Sequence, residues 1–227
     1  MKQQENWTQQ ASRQGLKTGI GALDSFLDIG DGIITLRASD PRLLSPLATA
    51  MLVRACRPGK RILYLHFVEY HDRYWTIDID GIVQAAKMQG ADVDNLLESV
   101  FFLRVFSRDT VEMRQNWQRI FDFGTGLNLV ILDSISDLYK EPGKKDASLM
   151  SMTHAIGMFA RLCAMNSCHG VVFDNSPQPI HPYLGEHSAV IIEVKGRPRF
   201  HFEVQKHPCK AECVVEIQSQ HSLARWL

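Results

Sequence analysis

Short apolar runs and longer amphipathic stretches alternate along this chain, and the alternation predicts parallel strands joined by crossover helices. Five runs read as strands: Ile33 to Leu36, Arg61 to Phe67, Val100 to Val105, Leu129 to Leu132 and Gly170 to Phe173. Between them, stretches at about Pro46 to Cys56, Ile77 to Gln89, Thr110 to Phe123 and Ser148 to Ser167 carry apolar residues at three- and four-residue spacing, as helices that bury one face do. In the last of these, Met152, Ile156, Phe159 and Leu162–Cys163 mark the buried face. From Ala189 onward the period changes. Ala189 to Lys195, Pro198 to Lys206 and Ala211 to Gln218 read as strands, with Gly196-Arg197-Pro198 as a turn between the first two. The pattern predicts an α/β fold, a mostly parallel sheet flanked by helices with a C-terminal antiparallel strand extension.

A length of 227 residues suits one α/β domain with a sizeable core. The expected division is a polar arm over residues 1–16, a core domain over 17–218 and a tail over 219–227. Within the arm, the single Trp7 is a candidate partner contact, because aromatic anchors dominate protein interfaces. Lys plus Arg equals Asp plus Glu at 25 each, so tight nucleic-acid binding through net charge alone is not implied. The five cysteines are odd in number and show no paired zinc-ligand spacing; Cys209 and Cys213 lie four apart with no second pair to complete a tetrahedral site. The nine histidines include His66 with His71 and His181 with His187, but none at metal-ligand spacing on a helix. A reduced intracellular compartment and no bound metal are the expectations. No apolar run reaches the roughly 18 residues of a membrane span, so a soluble protein is expected.

The segment Asn128-Leu129-Val130-Ile131-Leu132-Asp133-Ser134 is an apolar strand ending abruptly in an acid. In phosphate-handling α/β proteins such an Asp sits at the carboxyl end of a buried strand, where it orients the water shell of Mg²⁺. Asp and Ser are equally favoured at a helix cap or turn. On this segment alone both readings stay open.

The context favours the first as an ancestry. Thr18-Gly19-Ile20-Gly21-Ala22-Leu23-Asp24-Ser25-Phe26-Leu27, followed by Gly30-Asp31-Gly32-Ile33-Ile34-Thr35, resembles the start of the core of RecA-like recombinases of the RadA and eukaryotic recombinase type. There a Thr-Gly pair, a Leu-Asp pair, a Gly-rich turn and a strand lead into the phosphate loop. Leu132-Asp133-Ser134-Ile135-Ser136-Asp137-Leu138-Tyr139-Lys140 is similar to that family's Walker B strand and its continuation. Val171-Val172-Phe173-Asp174-Asn175 resembles its Asn-Gln sensor strand, and Lys206-His207-Pro208 its late strand exit. The resemblance runs in order over roughly residues 17–218 and implies a RecA-like P-loop ATPase core, with Asp133 and Ser134 Walker B-like and Asn175 sensor-like.

The chain departs from that family where the chemistry lies. In place of GxxxxGKT stands Ser39-Asp40-Pro41-Arg42-Leu43-Leu44-Ser45-Pro46: Ser39 and Leu44 replace the glycines, Ser45 the lysine and Pro46 the Mg²⁺-binding hydroxyl. A phosphate loop works because small residues let successive backbone N–H groups point at the phosphates while Lys neutralises their charge. Leu44 puts a side chain where close approach is needed, Pro46 removes a donor, and Ser45 brings no charge. Pro46 still suits the first residue of a helix. The base position falls on Val68, with Glu69 one residue later, and Ser176 stands in place of the sensor Gln. No catalytic residue and no cofactor are expected, and Asp133 and Asn175 read as structural remnants.

The family's DNA-contacting loops correspond here to Lys140-Glu141-Pro142-Gly143-Lys144-Lys145-Asp146 and to Ser176 through His187. Lys140, Lys144 and Lys145 are candidate phosphate contacts; the second loop has no Lys or Arg. The resemblance therefore implies a non-hydrolysing paralog, an accessory subunit in homologous recombination and DNA repair. It would bind another RecA-like protein and modulate its filament, touching single-stranded DNA only within the complex, in the nucleus or, for an archaeal chain, the cytoplasm. A divergent ATPase using Arg42, Asp133 and Glu69, and a KaiC-like regulator, are the alternatives.

Overall fold

Eight strands make one sheet in this computed structural model, which describes residues 16–29, 32–67, 77–105, 110–135, 145–176, 178–196 and 200–217. The strands are β1 Ile33–Arg37, β2 Arg61–Phe67, β3 Val100–Val105, β4 Leu127–Asp133, β5 His169–Asp174, β6 Ser188–Lys195, β7 Phe200–Lys206 and β8 Cys213–Ile217. Their order is β3-β2-β4-β5-β1-β6-β7-β8. Pairings from β3 across to β6 are parallel, and β7 and β8 add antiparallel. All five residues of β1 are buried, as a central parallel strand covered on both faces must be.

The helices are α1 Gly21–Leu27, α2 Ser45–Ala55, α3 Ile79–Met88, α4 Val93–Ser99, α5 Thr110–Phe123, α6 Lys145–Asn166 and α7 Pro182–His187. They divide between the two faces of the sheet. Residues of α1 to α4 pack with Ile34, Leu36, Ile62, Tyr64, Leu129 and Ile131 on one side. On the other, Trp117 and Ile120 of α5, the predicted face of α6 and Leu184 of α7 pack with Leu63, Leu65, Val130 and Val172. At Gly170 a Cβ would fall 2.8 Å from the Cys163 Sγ, so a glycine is what lets α6 lie this close to β5.

The strand expectations hold to within two residues at most ends, with three differences among the helices. Helices α1, α4 and α7 are absent from the periodicity reading, having only 7, 7 and 6 residues, fewer than two full turns. Two have recognisable starts: Asp92 caps α4 by accepting from the Asn95 N–H at 3.1 Å, and Pro182 opens α7. The expected loop from Ser176 to His187 therefore contains a helix. The expected loop from Lys140 to Asp146 ends earlier than predicted, since Lys145 already belongs to α6. Helix α2 begins at Ser45, making Pro46 its second residue rather than its first. Residues 197–199 of the predicted turn lie outside the described residues.

The Thr-Gly and Leu-Asp pairs are tied together. Asp24 in α1 accepts from the Thr18 hydroxyl at 2.7 Å and from the N–H groups of Thr18 and Gly19. The carboxylate clamps the segment that enters the core, where Leu16 is already buried.

Candidate functional site

Because β1, β5 and β4 are neighbours and β2 lies beyond β4, four parallel strands end side by side. This carboxyl edge is where open α/β sheets bind ligands. The segment after β1, the acid ending β4 and the Asn after β5 all converge there, so the structure brings together three of the regions singled out in the sequence.

The segment after β1 is closed. Ser39 is exposed, Pro41–Leu43 form a 3-10 turn, and the Leu43 N–H is taken by the Asp40 carbonyl at 3.0 Å. Leu44 is fully buried and packs in the α2 core together with Leu43 and Leu47, while Ser45 is half-buried and Pro46 buried. A phosphate loop needs open space ringed by outward N–H groups. Here a leucine side chain draws the backbone down onto the core. Arg42, the loop's cation, turns back on its neighbour: Nε and an Nη donate to the two Asp40 oxygens at 2.9 and 3.0 Å, and its backbone N–H donates to the same carboxylate.

Asp133 is 1% exposed and its carboxylate is a junction between strands. The β2–β4 register sets His66 beside Asp133, and Tyr64, two residues earlier on the same face, reaches the same group. The Tyr64 hydroxyl donates to Oδ2 at 2.7 Å, and His66 Nδ1 donates to the same oxygen at 3.0 Å, a carboxylate being able only to accept. Ser134 Oγ donates to Oδ1 at 3.2 Å, and Asn175 Nδ2 reaches Ser134 Oγ at 3.5 Å. Ser134 has φ of 59°, a left-handed backbone unusual outside glycine, immediately after the acid. Ser134 and His66 each bond to Asp133, whereas nucleophilic catalysis needs the serine on the histidine.

A second lock lies on the opposite face. Register pairs Arg37 at the end of β1 with Asp174 at the end of β5. Arg37 Nε donates to Asp174 Oδ2 at 2.8 Å, with the two side chains only 10% and 4% exposed. An Arg37 Nη donates to the Gln178 carbonyl, and Asp174 Oδ1 accepts from the Ser176 N–H at 3.0 Å. The buried cation beside the closed loop is thus neutralised internally, and it also orders the residues that follow β5.

Tyr64, His66, Arg37 and Asp174 were not singled out as site residues from the sequence. The available signal was weak: a polar residue at the end of a buried strand, which names no partner 67 to 137 positions away. Trp7, Glu69, Lys140 and Lys144 lie outside the described residues, and the Lys145 side chain is not described. Among the described residues no group of three or more His, Cys, Asp or Glu could hold a metal ion. Cys209 and Cys213 are exposed free thiols. A hydrogen bond with the Cys168 thiol and then burial push the Cys163 pKa well above the ordinary range, which disfavours its thiolate. At this edge the Leu43 and Arg42 N–H groups are taken by Asp40, the exposed Arg42 side chain pairs with the same residue, and the Asp133 carboxylate accepts from three side chains.

No family model matches the chain, and no curated protein shows significant similarity to it.

Proposed function

We propose that this chain is a RecA-like pseudo-ATPase, a recombinase paralog that serves as an accessory subunit in homologous recombination and DNA repair. It binds another RecA-like protein and modulates that partner's filament on single-stranded DNA. The observation that carries the reading is the state of Asp133, which stands where the resembling family orients Mg²⁺. Its carboxylate is buried and accepts from Tyr64, His66 and Ser134. Turning it toward a metal would strand buried donors at about 1–3 kcal/mol each. The segment order along the sheet edge supports the same ancestry, and the loop that would bind phosphate is collapsed onto the core. A fold kept without this chemistry is most simply kept for its surfaces.

On this reading single-stranded DNA is touched only within the complex, and the protein works in the nucleus, or in the cytoplasm if the source is archaeal. The test is to mix the purified chain with the RecA-like recombinases of its own source. Size-exclusion chromatography gives co-elution, and the recombinase's DNA-stimulated ATP hydrolysis gives the functional readout. Co-elution with a changed hydrolysis rate is expected; no co-elution together with an unchanged rate would remove the accessory-subunit reading.

A further inference from the structure

At the other end of the sheet, where β4 and β5 begin, there is a cavity of about 320 Å³. That is the low end of the size range for small-ligand sites. Its wall is built from separate pieces of chain: Lys17 before α1, Arg54 in the last turn of α2, Arg57 in the turn that follows, Gln89 capping α3, Asn128 in β4 and His169 in β5. None of the lining residues is acidic. In a chain with 25 cationic and 25 anionic residues, three permanent cations around one small cavity are a local departure from balance.

The simplest competing account is that these cations offset helix dipoles, because the carboxyl ends of α2 and α3 face this cavity. Two helix ends supply about −0.5 charge each, roughly −1 together. Lys17 and Arg54 alone supply two positive charges, so a surplus of about +1 remains. Lys17 and Arg54 form no ion pair among the described residues.

Two further features look built. Gly19, with φ of +83°, holds a left-handed backbone that favours glycine, and the Arg54 guanidinium lies 2.5 Å from where a Cβ would fall. The Gln89 amide nitrogen is buried with no hydrogen-bond partner, a donor without an acceptor in the cavity wall. Asn128 spends its amide nitrogen on the Ala55 carbonyl at 2.7 Å, which fixes its orientation.

From these features we infer that the cavity is a binding site for a small phosphate-bearing anion, with Arg54, Lys17 and Arg57 holding phosphate oxygens and Gln89 donating to one of them. Guanidinium and ammonium groups arranged without a carboxylate suit phosphate. The cavity wall holds no Phe, Tyr or Trp, and its one ring is the His169 imidazole, which favours a free di- or oligophosphate over a strand whose successive bases need a row of stacking platforms.

The test titrates the full chain with inorganic pyrophosphate by calorimetry, alongside Arg54→Glu, Lys17→Glu and the distant control Lys195→Glu, each checked for an unchanged thermal unfolding midpoint. Saturable binding that falls with salt, weakens about tenfold or more in Arg54→Glu or Lys17→Glu and is unchanged in Lys195→Glu supports the site. Absence of saturable binding, or equal binding in all variants, overturns it. A single-stranded oligonucleotide that binds with the same Arg54 dependence while pyrophosphate does not would overturn the small-anion assignment in favour of a strand contact.

Discussion

The two ends of the central sheet treat charge in opposite ways. At the carboxyl end, Arg37 is matched by Asp174, and Asp133 by three hydrogen-bond donors. At the amino end, Lys17 and Arg54 face a cavity with no acid in its wall. A buried charge that is fully paired inside the protein has nothing left to offer a ligand, whereas a concentrated, unneutralised one does. The carboxyl edge of the sheet spends its charged groups on joining strands, and the proposed anion site lies at the far pole.

That contrast can be broken in graded steps. Arg37→Met leaves Asp174 charged and buried without its cation, and should destabilise the protein by about 3–5 kcal/mol in urea unfolding; adding Asp174→Asn should recover more than half. A loss near zero for Arg37→Met would show the joint is not tight. Gly19→Ala forces a left-handed residue to carry a Cβ into the Arg54 guanidinium, for an expected loss of about 2 kcal/mol. It should also weaken pyrophosphate binding, which a purely structural glycine would leave alone. Tyr64→Phe removes one donor from a carboxylate that keeps two others, and about 1 kcal/mol is expected. The smallest effect belongs to Arg42→Ala, an exposed ion pair worth within about 0.5 kcal/mol. If Arg42→Ala abolished nucleotide binding instead, the closed-loop description would fail.

The sheet was legible in the sequence because its strands are short, largely apolar runs, and Arg61 to Phe67 and Val100 to Val105 match their observed bounds. Periodicity needs length, so α1, α4 and α7 escaped it, although Asp92 and Pro182 carried local start signals. In the candidate site, the residue types at Ser39, Leu44, Ser45 and Pro46, which set that segment's packing, were readable one by one. The joints were not. In the sequence His66 is weighed only beside His71 as a metal pair, and the β2–β4 register is what puts it against Asp133. Arg37 and Asp174 are likewise joined by the β1–β5 register alone. Residue type announces that a group wants a partner; the fold decides which one it meets.

Whether the carboxyl edge takes nucleotide is decided by titrating a fluorescent ATP analogue with Mg²⁺ into the parent protein, Asp133→Asn and Arg54→Glu. No saturable binding that depends on Asp133 is expected, and any signal that does appear should vanish in Arg54→Glu. Saturable binding in the parent that persists in Arg54→Glu and is lost in Asp133→Asn would contradict that expectation.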